Sequence, residues 1–473
     1  MKNKKGNINY MNAFIRLRTI SSSIFLLLIF LLLNSPLFTQ QNDESSRRDT
    51  IKYGTESEIA NLIQTLRTEN IDYLDDELMV LIQTSRNMRI LTSVFGFFGD
   101  REKKGLEDRA VKAITEREDE TNETVLSAID YLGRVKYPEA VPVLKELLNT
   151  EERRFLANGF RAIGRAGSAD PDMADEAAEF LVDYYTYRNP GSDNQSIIIT
   201  AIGDSGSLLG IPFLTGIATN TNERIPLRTA ALAALSKTGD ESSLEAILSC
   251  VSTNDPNVRS AAVAALGPFS GELVDSAILD AFRDSYYRTR IAAAQASRDR
   301  RLEAAVPFLR FRAERDEVAN VKDESIRALG AIANSEAIDV LDNLFSERRN
   351  SNQVRILAGE MLMKIDAAKF FSKIVIELNE AKNGNQTNLY NGFLKAVGEA
   401  VVDGDTTEVE RVASGFMLNG AIVERLYGLD MAANNNLKGL SGQIISLARD
   451  RNETLSRRAR RAAETLGIEI PDV

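Results

Sequence analysis

The sequence lacks most of the side chains that enzymes commonly use as acids, bases, nucleophiles or zinc ligands, which limits the reactions that it could catalyse. The 473 residues include no histidine, no tryptophan and a single cysteine, Cys250. This composition excludes histidine-based acid/base catalysis, Cys/His nucleophilic pairs and zinc sites of the usual Cys/His spacing. Cys250 ends an apolar helical run, which predicts a small buried side chain and not a reactive thiol.

An acidic cluster and a glycine-rich segment are the next candidates. Asp170, Asp172, Asp175 and Glu176 lie close together, but they lack the glycine and the distal glutamate of a calcium loop, so the first turn of a helix explains them better. Residues 203–210, GDSGSLLG, precede no Lys-Ser/Thr and follow no strand, which favours a turn over a phosphate cradle. We therefore predict no catalytic, cofactor-binding or metal-binding residue and no cofactor.

A tyrosine-rich stretch over residues 179–189, EFLVDYYTYRN, keeps an enzymatic alternative open. Tyr184, Tyr185 and Tyr187 beside Asp183 could line a pocket of an enzyme or of an enzyme accessory subunit. Tyrosines in such a place also serve as half-buried core residues or as anchors for a protein partner.

Residues 1–39 have the pattern of a secretory signal peptide. Five basic and no acidic residues occur there, and the unbroken apolar run Ile24 to Leu33 is followed by polar residues. Ten apolar residues are few for a bilayer-spanning helix, which needs about 20. We expect cleavage near Thr39, a flexible mature N-terminus over residues 40–55 and a location in the periplasm or otherwise outside the cytoplasm. The alternative is an uncleaved segment that anchors the protein in the inner membrane, facing the periplasm.

The chain is acidic, with a formal net charge of −11. Removal of residues 1–39 would make it more acidic, because that segment carries only basic charges. A protein of this charge is a poor general binder of nucleic acid, so we predict no nucleic-acid partner.

Beyond residue 55 one landmark recurs every 30 to 39 residues: an apolar residue followed, in nearly every case, by a small one, at the close of a helical segment. It is found at Phe95-Gly96, Leu132-Gly133, Ile163-Gly164, Ile202-Gly203, Leu235-Ser236, Leu266-Gly267, Ala296-Ser297, Leu329-Gly330, Leu362-Met363, Val397-Gly398, Leu429-Asp430 and Leu466-Gly467. Helical patterning on both sides of such a period predicts an all-α solenoid of helical hairpins.

Each repeat unit contains an alanine-rich helix before the landmark and an amphipathic helix after it. Five residues before the landmark a small residue recurs, at Ala128, Gly159, Ala231, Ala262, Ala292, Ser325, Ala358 and Ala462. Small residues on one stripe allow neighbouring helix backbones to approach closely. The landmark glycine is expected to end the helix in the left-handed conformation of a C-terminal cap.

The segments DPNVRSAAVAALG, AVPVLKELLN and AVPFLRFRAE resemble HEAT repeats of the phycobilisome-lyase-like type. The chain is also similar to periplasmic HEAT proteins of spirochaetes. The resemblance implies a right-handed α-α superhelical solenoid whose concave surface binds proteins. It divides the chain into N-terminal capping repeats (residues 56–120), a HEAT-like array (121–378), an asparagine-rich loop (379–388) and degenerate C-terminal repeats with a cap (389–473).

A row of basic residues lies eight positions before the second landmark residue, at Arg228, Arg259, Lys322 and Arg355. The turns before them supply Glu223, Asp255 and Glu317. Because HEAT repeats use such rows as a structural ladder between repeats, we predict that role here. The alternative is a row of exposed cations that grips an acidic ligand.

Two further basic segments are candidates for partner binding. In YYRTR, the aromatic Tyr286 and Tyr287 adjoin Arg288 and Arg290, which are residue types enriched at binding hot spots. We hypothesise that the groove of the second helices over residues 225–365 binds an envelope protein segment there; the alternative is that the tyrosines pack between repeats.

Near the C-terminus, SRRARRAAETLG predicts the polar capping helix of a solenoid. The function predicted overall is a non-enzymatic scaffold or adaptor of the cell envelope.

Overall fold

The structure, a computed structural model, describes residues 36–188 and 190–471, with backbone alone for residues 36–43. The predicted signal peptide lies outside the described residues except for its last four positions. All regular structure in the described ranges is helical, with 26 α-helices and five short 3-10 turns. No described helix is long and apolar enough to cross a membrane. The chain divides into two compact units, residues 1–210 and 211–473.

The described part of the first unit contains ten α-helices. They are α1 (Pro36–Tyr53), α2 (Glu56–Glu69), α3 (Asp75–Thr84), α4 (Met88–Asp100), α5 (Glu107–Thr115), α6 (Asn122–Arg134), α7 (Ala140–Asn149), α8 (Arg153–Gly167), α9 (Pro171–Arg188) and α10 (Ser192–Ser205).

The described part of the second unit contains sixteen α-helices. They are α11 (Ile211–Thr219), α12 (Ile225–Thr238), α13 (Leu244–Cys250), α14 (Pro256–Ala265), α15 (Glu272–Ala281), α16 (Tyr287–Asp299), α17 (Val306–Arg315), α18 (Ala319–Ile332), α19 (Ser335–Ser346), α20 (Asn352–Ile365), α21 (Ala367–Asn383), α22 (Thr387–Gly398), α23 (Thr407–Asn419), α24 (Ile422–Asn434), α25 (Ser441–Ala448) and α26 (Glu453–Leu466).

Within each unit the helices form two rows. Each even-numbered helix from α2 onward packs against the next even-numbered helix, and each odd-numbered helix packs against the even-numbered helix that follows it. We call the even-numbered helices the alanine row and the odd-numbered helices the leucine row. The eight small residues that the sequence predicts at helix contacts are all buried. The predicted all-α solenoid of helical hairpins is therefore confirmed.

Glycines at the landmark mostly lie inside helices, so the predicted role as left-handed caps is wrong for them. Gly96, Gly133 and Gly164 are within α4, α6 and α8, and of the landmark glycines only Gly467 has a positive φ, of 66°. A Cβ atom on Gly164 would lie 2.3 Å from the carbonyl oxygen of Ala201 in α10. At Gly164, and likewise at Gly133, where a Cβ atom would lie 2.8 Å from the Cα of Ala162, the lack of a side chain thus allows close contact between alanine-row helices.

The segment after the predicted signal peptide also differs from expectation. Residues 36–53 form α1, where the sequence predicts a flexible segment from residue 40. Ile51 is buried, and Arg47 and Arg48 form ion pairs with Glu69 and Glu77 of α2 and α3. These contacts give α1 a packed face, which its weakly periodic sequence does not reveal.

The asparagine-rich segment 379–388 is mostly helical and not a loop. Helix α21 continues to Asn383 and α22 begins at Thr387, so only residues 384–386 connect them. Asn385 takes a left-handed backbone conformation with φ of 55°, which asparagine tolerates better than most residues. The division into compact units falls after Gly210 instead.

Candidate protein-binding surfaces

A basic residue occupies the fourth position of five consecutive alanine-row helices, α12 to α20. These residues are Arg228, Arg259, Arg290, Lys322 and Arg355. We call them the basic row. Counting from the helix start brings in Arg290, which falls outside the row counted from the landmark because Ser297 follows it after seven residues and not eight. The adjoining tyrosines of YYRTR predict partner binding for it instead.

Three members of the basic row cap the carboxyl ends of leucine-row helices. Arg228 Nε donates to the carbonyl oxygen of Ala218 at 2.9 Å, in the last turn of α11. Lys322 Nζ donates to the Glu314 carbonyl oxygen at 3.2 Å, and Arg355 Nε to that of Phe345 at 2.9 Å. The last carbonyls of a helix have no partner within it and carry the negative end of its dipole. A cation in the first turn of its own helix is destabilised by the positive end of that helix dipole. The hydrogen bonds from the basic row to the carbonyls of the preceding helix offset this cost.

Three members of the basic row also bind carboxylates, and one of them is Arg355, whose Nη2 contacts Glu377 of α21 at 2.6 Å. Arg259 contacts Asp284 through Nε at 2.7 Å and Nη2 at 3.1 Å. Arg290 contacts Asp316 through the same two nitrogens, each at 2.8 Å. Bidentate pairs of this kind combine charge attraction with fixed geometry. Both aspartates lie in the turn before the next alanine-row helix, so the pairs run forward along the chain.

The acidic residues that the sequence predicts for the ladder have other roles. Asp255 Oδ1 accepts from the backbone N–H groups of Asn257 and Val258 and so caps α14. Glu223 accepts from the backbone N–H of Arg224, and Glu317 is exposed. The structure therefore gives the carboxylate role to Asp284 and Asp316, which the sequence analysis missed.

Asp316 is the most enclosed carboxylate of the ladder, with a side chain that is 1% exposed. Burial alone would raise its pKa, but hydrogen bonds from Arg290 and from the backbone N–H of Val318 outweigh burial and hold the pKa below its ordinary value. The pKa of Asp284 is lowered in the same way, against burial, by Arg259 and the backbone N–H of Tyr286. Both groups are ionised and structural at neutral pH.

Some residues of the YYRTR segment are held by contacts within the fold, and others are exposed. The rings of Tyr286 and Tyr287 meet edge to face with centroids 5.4 Å apart, and Tyr286 Oη bonds Asn257 Oδ1 at 3.0 Å. Arg288 is exposed and lies over the Tyr287 ring at 5.9 Å. Arg290 also donates to the carbonyl oxygens of Asp284 and Ser285. Of the predicted partner-binding residues, Arg290 is thus committed to the ladder.

We expect the two arginines of this segment to respond differently to substitution. Arg290→Ser should lower the free energy of unfolding by about 2 kcal/mol, because it removes charged hydrogen bonds from a half-buried site. Arg288→Ser should change it by less than about 0.5 kcal/mol, as for other exposed residues. Urea denaturation followed by circular dichroism measures both. Equal losses from the two variants would contradict the assignment of Arg290 to the ladder.

The alanine row carries a groove near its C-terminal end, which we call the alanine-row groove. A cavity of about 610 Å³ is lined by residues of α24 and α26 and by Glu399. A second cavity, of about 290 Å³, is lined by residues of α20 and α22 and shares Glu399. The surfaces of four consecutive alanine-row helices therefore meet in adjoining cavities.

The groove combines a fixed ion pair with an accessible cation. Arg458 contacts Asp430 through Nε at 2.7 Å and Nη2 at 2.9 Å. Burial raises the pKa of Asp430 above its ordinary value in spite of this pair. Arg461 is exposed one turn further along α26, and Leu426 and Tyr427 add apolar surface. The SRRARR segment is thus a polar terminal helix, as expected, but two of its arginines face a cavity.

Of the tyrosine-rich stretch, Tyr184 is packed in the core and Tyr187 is exposed. Tyr184 is buried edge to face against Phe160, with ring centroids 4.8 Å apart, and burial raises its pKa. Tyr187 is 81% exposed. Cys250 is buried as predicted.

The acidic cluster at residues 170–176 is also engaged in local contacts. Asp170 accepts from the backbone N–H of Met173 at 3.0 Å, and Asp175 accepts from the Ser207 hydroxyl at 2.5 Å. Glu176 pairs with Lys145 at 2.6 Å. In the part of the chain that the structure describes, no three acidic or sulfur ligands converge as a metal site would require.

Comparison with known proteins identifies one family. The model for the family described as "Spirochaete HEAT repeat protein" matches residues 51–462. No curated protein matches the chain. Among solved structures, Kap121p is similar at 10% identity with a TM-score of 0.45, over 89% of this chain and 53% of Kap121p, so the chain spans about half of that protein.

Two other solved structures are similar at comparable levels. Kap121p bound to RanGTP has 11% identity and a TM-score of 0.41, over 89% of this chain and 52% of Kap121p. The complex of CpcE and CpcF of phycocyanin lyase from Nostoc sp. PCC7120 has 14% identity and a TM-score of 0.31, over 61% of this chain and 93% of that one.

Proposed function

This chain belongs to the family of spirochaete HEAT repeat proteins, and from that premise we propose that it is a non-enzymatic protein-binding scaffold or adaptor of the cell envelope. The match over residues 51–462 bears out the resemblance of the repeats. The observation that carries the proposal is the alanine-row groove, in which side chains of four consecutive helices line adjoining cavities.

The groove supports binding of an extended partner better than binding of a small substrate. Its charged lining residues lie on four helices and the turn after α22, and two oppositely charged pairs among them, Lys395–Glu360 and Arg458–Asp430, are already formed. A solenoid presents such a surface on helices held by their neighbours, so that a partner segment docks without ordering the scaffold. Export to the envelope is supported by the pattern of residues 1–39, and the absence of histidine supports a role without catalysis.

Recovery of partners from the native envelope fraction tests this proposal. The full chain carrying Arg461→Glu should recover its principal partner at least about tenfold less well than the wild type, because charge reversal at a docking surface opposes association. Quantitative mass spectrometry of the recovered proteins measures the effect.

Arg457→Glu is the matched control. Arg457 lies on the same helix, has a side chain that is 72% exposed and faces only Glu453 at 3.9 Å. Its reversal should leave both recovery and melting temperature unchanged. Identical partner profiles for wild type and Arg461→Glu would reject the groove as the binding surface. Absence of the native protein from the envelope fraction would reject the proposed location.

A further inference from the structure

A second concave surface lies on the leucine row, between the end of α15 and α17. Phe282, Phe308 and Phe311 line a cavity of about 410 Å³ together with Arg283 and Arg312. The rings of Phe282 and Phe308 stack with centroids 5.7 Å apart. We call this surface the aromatic cleft.

The aromatic cleft exposes apolar surface on a rigid frame. Phe311 is 50% exposed and is the only phenylalanine of the described residues that is more than about a third exposed. Arg312 anchors the cleft, because it donates to the carbonyl oxygen of Phe282 and to Asp316. The ladder that orders the repeats therefore also fixes one wall of the cleft.

Arginines lie against the exposed rings. Arg283 lies over Phe308 at 5.1 Å, and Arg315 lies over Phe311 at 5.7 Å. Arg283 has an ion pair only with Asp280, and both side chains are largely exposed. Arg315 has no ion pair within the described residues. Exposed pairs of this kind contribute little, so both guanidinium groups can bind a ligand at small cost.

The charge around the cleft is opposite to that of the chain. The charged side chains at the cleft have a small positive excess, Arg283, Arg310, Arg312 and Arg315 against Asp280, Glu314 and Asp316, whereas the whole chain has a net charge of −11. Apolar rings beside accessible guanidinium groups complement a ligand that has an apolar side chain flanked by carboxylates. Aromatic and arginine residues are also the types that dominate protein-binding energies.

We propose that the aromatic cleft binds a short acidic segment of a partner protein, with an apolar side chain between Phe308 and Phe311 and carboxylates on Arg283 and Arg315. The inference rests on the proposed function in taking the ligand to be a protein. It places a second, separate docking point on the opposite row of helices from the alanine-row groove.

A membrane surface fits the cleft less well. Phe311 is a single exposed ring, whereas interfacial binding needs a broad apolar face. A concave cavity is also shaped to enclose a side chain and not to enter a bilayer.

Selection from a phage-displayed library of random dodecapeptides tests the proposal with the purified full chain. Enriched peptides should carry Phe, Leu or Trp flanked by Asp or Glu. A synthetic peptide of the enriched sequence should bind Phe311→Ser at least about tenfold more weakly than wild type, measured by fluorescence anisotropy. Arg283→Gln combined with Arg315→Gln should weaken binding and reduce its dependence on salt.

Ile376→Ser is the control, because Ile376 is 60% exposed on α21 in the same row of helices but outside the cleft. Its peptide affinity should equal that of wild type. Failure to enrich acidic apolar peptides, or unchanged affinity in Phe311→Ser, would overturn the proposal, as would binding to phosphatidylcholine–phosphatidylglycerol vesicles that Phe311→Ser abolishes. If these results overturn the cleft while Arg461→Glu still loses its envelope partner, the scaffold function stands without it.

Discussion

Replacement of Asp316 by Ala should destabilise the second unit by about 3 kcal/mol, because it leaves two half-buried cations, Arg290 and Arg312, without their partner. Asp316 accepts hydrogen bonds from Arg290 and Arg312 and from the backbone N–H of Val318. Its side chain is 1% exposed, so water cannot replace the lost carboxylate without rearrangement of the turn. Urea denaturation at neutral pH measures the loss.

Glu317→Ala is the matched control for this experiment. Glu317 is the neighbouring carboxylate that the repeat pattern places in the ladder, but it is exposed, so its removal should change stability by less than about 0.5 kcal/mol. The reverse order of effects would show that the ladder uses Glu317.

The effect of Asp316→Ala should depend on pH in a defined direction. The pKa of Asp316 is lower in the folded protein than its ordinary value of 3.8. Its stabilising contribution is therefore fully present above pH 3.8 and is lost as the pH falls through the folded value. The difference between wild type and variant should shrink over that acidic range and be constant near neutrality.

Replacement of Gly164 by Ala should destabilise the first unit by about 3 kcal/mol, at the upper end of the usual cost of overpacking. The new Cβ would lie 2.3 Å from the carbonyl oxygen and 2.9 Å from the carbonyl carbon of Ala201. Because these are backbone atoms of α10, the clash cannot be relieved by a side-chain rotation. Helices α8 and α10 must separate instead, which loosens the alanine row.

Gly96→Ala provides the comparison, since Gly96 is also a landmark glycine inside a helix of the first unit. A Cβ atom there meets nothing within 4 Å. Alanine favours helix more than glycine, so Gly96→Ala should stabilise the unit by up to about 1 kcal/mol. Thermal unfolding followed by circular dichroism measures both variants. A tolerated Gly164→Ala would mean that α8 and α10 approach less closely than described.

The repeat fold could be predicted from sequence because each repeat packs mainly on its neighbours. The small residues such as Ala262 and Ala358 mark one face of each helix, and their spacing gives the period directly. Glycine at the landmark was harder to interpret. The same residue suits a helix end and a close helix contact, and only the position of the next helix separates the two roles.

The candidate sites could be predicted only in part. Arg259 was found in its row, but its partner Asp284 lies 25 residues later, and sequence does not show which neighbouring turn the guanidinium group faces. Arg290 falls outside the register of the basic row because α16 has one residue fewer between the cation and the landmark, and its tyrosine neighbours favour a partner-binding role. The aromatic cleft joins Phe282, in the turn after α15, with Phe308 of α17, and no local periodicity connects them.

The forward direction of the ladder has a mechanical consequence. Asp284 accepts from Arg259 through its carboxylate and from Arg290 through its carbonyl oxygen, and Arg290 in turn holds Asp316. Charged hydrogen bonds thus run without interruption from α14 through α16 to the turn before α18. If one of these repeats unfolds, its neighbour loses a charged hydrogen-bond partner. We therefore expect the repeats of this stretch to unfold together and not one at a time. Under tension this stretch is therefore expected to unfold as one block.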